Sequence, residues 1–291
     1  MRVRAVSSET QAAILAWYDA RGRTLPFRGE RDPYAILVSE VMAQQTQISR
    51  VSEHWASFMR AFPTVERLAE APTADVLRAW RGLGYNRRAL NLQRAARVIV
   101  SEHGGSVPSS LDELLQLPGV GPYTARAVAA LAFGHAVGPV DTNVRRVLSR
   151  LVSARGAISA RELQSIADRS VPPARPSDWT HGLMDLGATI CSPNAPRCAD
   201  CPAARWCRSA TRVKRRVPRG GAAVGFGSTS RWLRGRILDQ LRDVRDDGWG
   251  AVTAPIGEHD GMAVATALVT METEGLIERD RADPARARLA R

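Results

Sequence analysis

The sequence is short of cysteine, of acidic residues and of long apolar runs, and each shortage closes off a class of protein. Only four cysteines occur in 291 residues, all of them between positions 191 and 207, so no disulfide framework can run through the rest of the chain. No stretch approaches the roughly 18 uninterrupted apolar residues that a membrane span needs. The opening MRVRAVSSETQAAILAWYDARGR likewise has no continuous apolar core of signal-peptide length. The expectation is a soluble cytoplasmic chain with no membrane partner. Alternating strand patterns are scarce before residue 245, and no internal repeat is found.

Twenty-nine Asp and Glu stand against 41 Lys and Arg, a formal charge of +12 with a pI near 10.9. Such an excess favours a polyanionic partner, nucleic acid first, because each phosphate contact releases counterions. A generally basic proteome is the plain alternative. With 44% hydrophobic residues the length allows one large or two modest domains. TADVLRAWRGLGYNRRALNLQRAARVIVSEHG and SLDELLQLPGVGPYTARAVAALAFGHA carry apolar residues at three- and four-residue spacing between Gly and Pro turns, so the chain reads as all-α. RSATRVKRRVPRGGAAVGFGSTSR, first basic and then Gly-rich, reads as a linker. Beyond it RWLRGRILDQLRD and GMAVATALVTMETEGLIERD read as two amphipathic helices, the second running into a short strand, the pattern of a small winged-helix-like module.

The cysteines are spaced C-x6-C-x2-C-x5-C, at Cys191, Cys198, Cys201 and Cys207. Disulfides suit neither a cytosolic chain nor so tight a cluster. A four-thiolate zinc site and a [4Fe-4S] cluster both remain chemically open. Structural zinc sites usually offer two C-x2-C knuckles, and the single pair with longer arms favours iron and sulfide. The basic flank RWCRSATRVKRR makes a structural or DNA-positioning role the natural one.

Two further stretches carry chemistry. In LPGVGPYTARAVAALA, residues 117–132, a helix, a tight G-V-G turn and a second helix would aim backbone N–H groups outward, a phosphate-binding terminus that reads no base. In PVDTNVRRVLSR, Asp141 precedes an apolar-periodic helix, where it is an N-cap, a reactive carboxylate, or both. In DPYAILVSEVMAQQTQISRV, a helical wheel puts Ile36, Leu37, Glu40, Gln44, Gln47 and Ile48 near one stripe. Glu40 there either leans to solvent or is desolvated. A desolvated Glu holds its proton near neutral pH, as a general acid must.

SEVMAQQTQ, GLGYNRRALNL, LPGVGPYTARAV, PVDTNVRRV, LMDLGATIC and the cysteine loop follow one another in the order found in the helix-hairpin-helix DNA glycosylases with an iron–sulfur cluster. Over roughly residues 8 to 210 the chain most resembles the adenine DNA glycosylase family. The resemblance implies a two-lobed, all-helical fold, with a six-helix lobe at about 30–135 and a cluster lobe from 1–29 and 136–210. A linker at 211–230 and the winged-helix-like tail at 231–291 would follow. It implies a monomer acting on double-stranded DNA that contains a mispair, associated with the nucleoid, and carrying a [4Fe-4S] cluster on the four cysteines.

By position, Glu40 matches the acid that protonates the departing adenine, and Asp141 the carboxylate that stabilises the sugar cation. Asn143 looks like a helper of Asp141. Tyr123 stands where the related endonuclease III has a Schiff-base lysine, which implies weak or no lyase activity. Arg28 and Asp185 resemble residues lining the adenine pocket. Gln44, Gln45, Thr46, Leu83 and Tyr85 resemble residues that enter the duplex and meet the opposite base, and Gly119 and Gly121 form the hairpin turn.

The chain also departs from the family pattern. Phe27 replaces a usual tryptophan, Ala43 a common leucine, and Asn86 the second tyrosine of GLGYY. The usual Nudix-like C-terminal domain, which reads 8-oxoguanine, is not recognisable after residue 210. The first reading is therefore hydrolytic removal of adenine opposite 8-oxoguanine or guanine. The second is a glycosylase of the same fold for T opposite G, an oxidised pyrimidine or a deaminated purine. The third is a non-catalytic iron–sulfur DNA-binding protein that reads sequence with its tail, against which Glu40 and Asp141 both argue.

Overall fold

A computed structural model describes residues 5–153, 158–210, 225–245 and 247–291. The helices before the cysteines are α1 (Ser8–Arg21), α2 (Pro33–Ala43), α3 (Ile48–Ala61), α4 (Val65–Glu70), α5 (Thr73–Ala79), α6 (Arg87–His103), α7 (Leu111–Gln116), α8 (Pro122–Ala132), α9 (Thr142–Val152), α10 (Ala160–Arg169) and α11 (Pro176–Thr189). Short 3-10 turns shape the cysteine loop. The tail follows with α12 (Ser230–Leu241), β1 (Gly250–Ala251), α13 (Gly261–Thr273), β2 (Ile277–Arg279) and β3 (Arg286–Leu289). All strands among the described residues lie beyond position 245, in one antiparallel sheet of order β1-β3-β2.

Polar caps set many of the helix starts. Ser7, Thr64, Asp141, Ser159, Thr229 and Asp260 each accept a backbone N–H of the first turn, which satisfies a donor that the helix itself leaves unpaired. Proline opens α8 and α11, where its missing N–H costs nothing.

The chain divides into two compact units. The first is drawn from Met1–Glu40, Pro108–Gln116 and Val120–Arg219, and the second from Val41–Val107, Leu117–Gly119 and Gly220–Arg291. Segments 30–40, 108–116 and 120–135, expected in the six-helix lobe, fall with the cysteine-bearing unit, and the tail is part of the other unit. The expected linker lies outside the described residues over 211–224, and its end forms a 3-10 turn at Phe226–Ser228.

In the first unit α11 packs on α1, α8 and α9. Ile14, Val147, Leu148, Ile166, Trp179 and Leu186 are buried together at its core. Gly187 permits the approach of α11 to α9, since a Cβ there would lie 2.6 Å from Asn143 Cβ and 3.1 Å from its Cα. In the second unit α6 packs along α4 and α5, with Phe58 edge-on to Trp80 at 5.7 Å. The expected stripe on α2 is corrected by the structure. The helix ends at Ala43 and α3 starts at Ile48, so Gln44 and Gln47 share no face with Glu40. Nor is the helix amphipathic, since residues 34–39 are buried on every side.

Candidate active site

Four of the expected site residues converge in the first unit. Glu40 comes from α2, Tyr123 from the first turn of α8, Asp141 from the cap of α9 and Asn143 from its first turn. The Tyr123 hydroxyl hydrogen-bonds one Glu40 oxygen. The other, Oε2, is sealed from water with no partner at all, although parts of the residue remain accessible. An unpartnered carboxylate oxygen in an apolar setting disfavours ionisation. Desolvation, with the nearby Asp141 charge adding to it, pushes the Glu40 pKa from 4.5 to about 7, against the opposing pull of the Tyr123 hydrogen bond and the Arg28 charge. Burial drives the Tyr123 phenol well above its ordinary range, with Glu40 and Asp141 reinforcing it, so Tyr123 stays a neutral donor.

Asp141 is the N-cap of α9. Its Oδ1 accepts from Val144 N at 2.6 Å and its Oδ2 from Asn143 Nδ2 at 3.1 Å, and a helix N-terminus favours negative charge. Asn143 in turn accepts from Arg146 Nη2 at 2.8 Å through Oδ1. Two carboxyls thus sit in one site, Glu40 with an unpartnered oxygen and Asp141 with both oxygens hydrogen-bonded.

Arg28 and Asp185 are brought together as a bidentate pair, Nη1–Oδ2 2.5 Å and Nη2–Oδ1 2.6 Å. Arg23 adds its Nε at 2.6 Å and its backbone N at 2.8 Å. The Asp185 side chain has no exposure. Burial would raise its pKa, but Arg28 and Arg23 outweigh burial and hold the carboxyl below its usual range. Its acceptors are taken up in orienting the two arginines, and Arg28 is the member that acts electrostatically on Glu40. His181 lies beside this pair, 3.5 Å from the Tyr18 hydroxyl, and burial with the Arg28 charge lowers its pKa to about 4.

Gln44, Gln45, Thr46, Leu83 and Tyr85 form two adjacent loops of the second unit. Gln45 and Tyr85 both hold left-handed backbones, φ 55° and 45°, a conformation that costs a non-glycine residue about 1–2 kcal/mol. Leu83 is 3% exposed and packs inward, so the exposed Gln45 and Tyr85 are the side chains these loops present. Gln44 Nε2 reaches Gly119 O at 3.4 Å. Gly119 itself, φ +80°, leaves room that a Cβ would take from Asn91 at 2.7 Å, while Gly121 caps an open α8 terminus.

The residue that sequence reasoning missed here is Arg88. Its guanidinium donates to the carbonyls of Val41, Met42, Gln44, Leu83 and Gly84 and to Thr46 Oγ1, all within 2.6–3.0 Å. Burial lowers its pKa to about 10. A signal was present: Arg88 stands on the stripe of Leu92, Ala95, Ala96 and Ile99, where a charge survives only if something satisfies it.

The cysteines are unpaired and half-buried, and Cys191, Cys201 and Cys207 pack on the core of the first unit. Arg150 Nη1 lies 3.3 Å from Cys191 Sγ and 2.7 Å from Ser192 O, and Arg146 Nε donates to Cys191 O at 2.6 Å. Burial and the neighbouring thiols push Cys201 up to about 11 and Cys207 also upward. That mutual disfavour among thiolates is what a cationic iron–sulfur core would relieve. Among the described residues no group of three or more His, Cys, Asp or Glu is arranged to hold a metal ion.

The chain's class, the helix-hairpin-helix base excision DNA repair proteins, follows from its likeness to known proteins. Residues 38–173 match the family model described as HhH-GPD superfamily base excision DNA repair protein. A thermostable thymine-DNA glycosylase structure is similar at TM-score 0.66 and 32% identity, over 69% of this chain and 95% of that one. A trapped endonuclease III–DNA covalent intermediate is similar at TM-score 0.61 and 26% identity, over 70% and 94%. The adenine DNA glycosylase of Mycolicibacterium smegmatis is 42% identical over 275 residues, 91% of this chain and 92% of that protein, a match long enough to take in part of the tail. The human adenine DNA glycosylase is 44% identical over 218 residues, 70% of this chain and 40% of the human protein. The chain belongs to the adenine DNA glycosylase family.

Removing Arg88 takes a donor from five carbonyls; those of Val41, Gln44, Leu83 and Gly84 keep second donors at 3.1–3.4 Å, while Met42 O loses its short bond, and each group left buried and under-bonded costs about 1–3 kcal/mol. Arg88→Ala should therefore lower unfolding stability by several kcal/mol in urea melts. Arg88→Lys, with three donors in place of five, should recover only part of that loss.

Proposed function

We propose that the chain removes adenine from DNA mispairs, opposite 8-oxoguanine or guanine, by hydrolysis of the N-glycosidic bond. The observation that carries the reading is Glu40, a carboxyl with one sealed, unpartnered oxygen and a pKa near 7. Neutral Glu40 donates its proton to a ring nitrogen of the departing adenine as the C1′–N9 bond breaks and the bonding electrons leave with the base. The Asp141 carboxylate, fixed by Val144 N and Asn143, faces the positive charge that develops on the sugar. Water then adds to C1′ and gives its proton to the Glu40 carboxylate, leaving adenine and an abasic hemiacetal. Arg28, held by Asp185, is placed to orient the base and restrain Glu40 from too high a pKa. The base must first leave the stack, which costs a few kcal/mol and least at a mispair.

Lyase chemistry needs an amine. Lys214 is the only lysine in the sequence, and the site holds Tyr123 where the resembling endonuclease III has its lysine, so the reaction stops at the abasic site. Cys191, Cys198, Cys201 and Cys207 would hold a [4Fe-4S] cluster, which would cross-link the loop, while Arg146 and Arg150 tie that loop to α9. The +12 charge favours duplex DNA as partner.

The test is single-turnover base release from duplexes with A opposite 8-oxoguanine, guanine or cytosine, and T opposite G. Adenine release should predominate; release of thymine alone would move the chain to the second reading. The rate should fall as pH rises through about 7, because the protonated acid is the active form. Tyr123→Phe, by losing a bond that lowers this pKa, should move the fall to higher pH.

Stability carries the same sign. A folded pKa raised from 4.5 to about 7 means that stability present below pH 4.5 is lost as pH rises through 7, by about 3 kcal/mol. Glu40→Gln should thus be inactive yet melt higher than wild type at pH 8, with no such gain at pH 4. Borohydride should trap no covalent complex with DNA. Purified chain should contain iron and acid-labile sulfide; zinc in their place would refute the cluster.

A further inference from the structure

The second unit holds a cleft of about 620 Å³ that none of the loop residues clamped by Arg88 lines. One wall is built by the turn between α4 and α5 together with Arg78 of α5 and Arg97 of α6, the other by the turn after α12 and by β3. Five arginines line it, Arg78, Arg97, Arg245, Arg288 and Arg291, against two acids, Glu70 and Asp247, so positive charge is in excess.

The arginines differ in how many donors their own partners use. Arg78 gives Nη1 to Asp75 at 2.9 Å, Nε to Arg242 O and Nη2 to Val244 O. Arg288 gives Nε and Nη2 to Glu278 and lies over the Trp249 ring at 4.2 Å. These two are fixed charges. Arg97 donates through Nε to Ala69 O at 3.1 Å, and among the described residues it has no carboxylate partner. The Arg245 side chain is 90% exposed and meets Asp247 at 3.9 Å, too far for a hydrogen bond. Arg97 and Arg245 thus keep terminal N–H groups for a ligand, and they come from different walls.

The rest of the lining is apolar: Ala71, Pro72, Ala74, Val244 and Leu289. This mixture narrows what fits. Nucleotide sites stack the base on an aromatic plane, and no aromatic side chain lines the cleft. A phosphate backbone asks for cations and gains nothing from an apolar lining. An acidic peptide with an aliphatic side chain uses both, its carboxylates taking guanidinium hydrogen bonds and its aliphatic group leaving water.

We propose that this cleft docks an acidic peptide segment of a partner protein, one aliphatic side chain against the apolar lining and flanking carboxylates on Arg97 and Arg245. The docking site is independent of the chemistry at Glu40, and it exists because the tail lies against α5.

The test is fluorescence anisotropy of the full chain with a labelled peptide of glutamates around one leucine, beside the same peptide with glutamine for glutamate or with serine for leucine. Wild type should bind the first and lose most of its affinity for the other two. Arg97→Glu combined with Arg245→Glu should weaken binding of the first by about tenfold. Both side chains are exposed, so this double variant should keep wild-type stability in urea melts. Arg60→Glu combined with Arg281→Glu makes the same change of charge outside the cleft and should weaken the peptide far less. Wild type that fails to bind the first peptide overturns the proposal. A serine peptide that binds as well as the leucine one also overturns it, by reducing the cleft to a general anion contact. Equal weakening by the two double variants does the same, by leaving net charge as the only attraction.

Discussion

Helix α9 is held at its start, its middle and its apolar face, and each hold serves a different part of the first unit. At the start Asp141 closes the first turn and presents its carboxylate toward Glu40. One turn on, Arg146 binds Asn143, Gly187 O and Cys191 O together, and a turn later Arg150 gathers Ser192 O, Pro193 O and the Cys191 sulfur. The cysteine loop is therefore tied to the helix that carries the site's fixed carboxylate. A loop locked by four thiolates would keep α9 from sliding along α11, where Gly187 and Asn143 are already in closest approach.

The same unit stores an unfavourable arrangement at Glu40. A carboxyl with one oxygen unpartnered is a liability to folding above neutral pH, and a general acid is useful because of that liability. Tyr123 and Arg28 limit it, each lowering a pKa that desolvation raises. Asp185 belongs to this balance at one remove, since its own carboxylate is spent on Arg28 and Arg23. The pocket is thus built from two carboxylates that are fully satisfied, Asp141 and Asp185, around one that is not.

How much of this could be read from residues alone depended on what kind of partner each residue has. The helices announced themselves through apolar spacing and caps, and the hairpin through G-V-G. Asp141 was legible as the cap of α9 from its cap signature, while its proposed role toward the sugar rests on the family position alone. The stripe drawn through Glu40 failed for a local reason: four residues after it the chain turns out of α2 and enters a left-handed residue at Gln45, and wheel patterns assume a helix that continues. Leu83 looked like a wedge by position but packs inward, leaving Tyr85 to face out. Arg88 was visible as a charge on an apolar stripe, but its role was not, because its partners are largely backbone carbonyls, which every residue owns and no sequence pattern marks; Arg242 meets one carbonyl and the side chains of Asn86 and Asp239, far apart in the sequence.

The tail illustrates the difference between resembling a reader and being placed as one. A winged-helix-like pattern suggests that its second helix enters a groove, yet the exposed positions of α13, Met262, Thr266, Val269, Thr270 and Thr273, are neutral. Phosphate contacts need cations, and a helix without them has little with which to hold a duplex. The cations of the tail are on α12, the strands and the turns between them, and several are paired internally, Arg279 with Glu272 and Arg288 with Glu278. Arg242 fixes the module by backbone carbonyl and Asn86, which leaves Arg231 as the α12 cation directed at Tyr85. A short tail fastened in this way contributes as a wall: its turn after α12 and its last strand close a cleft against the arginines of α5 and α6.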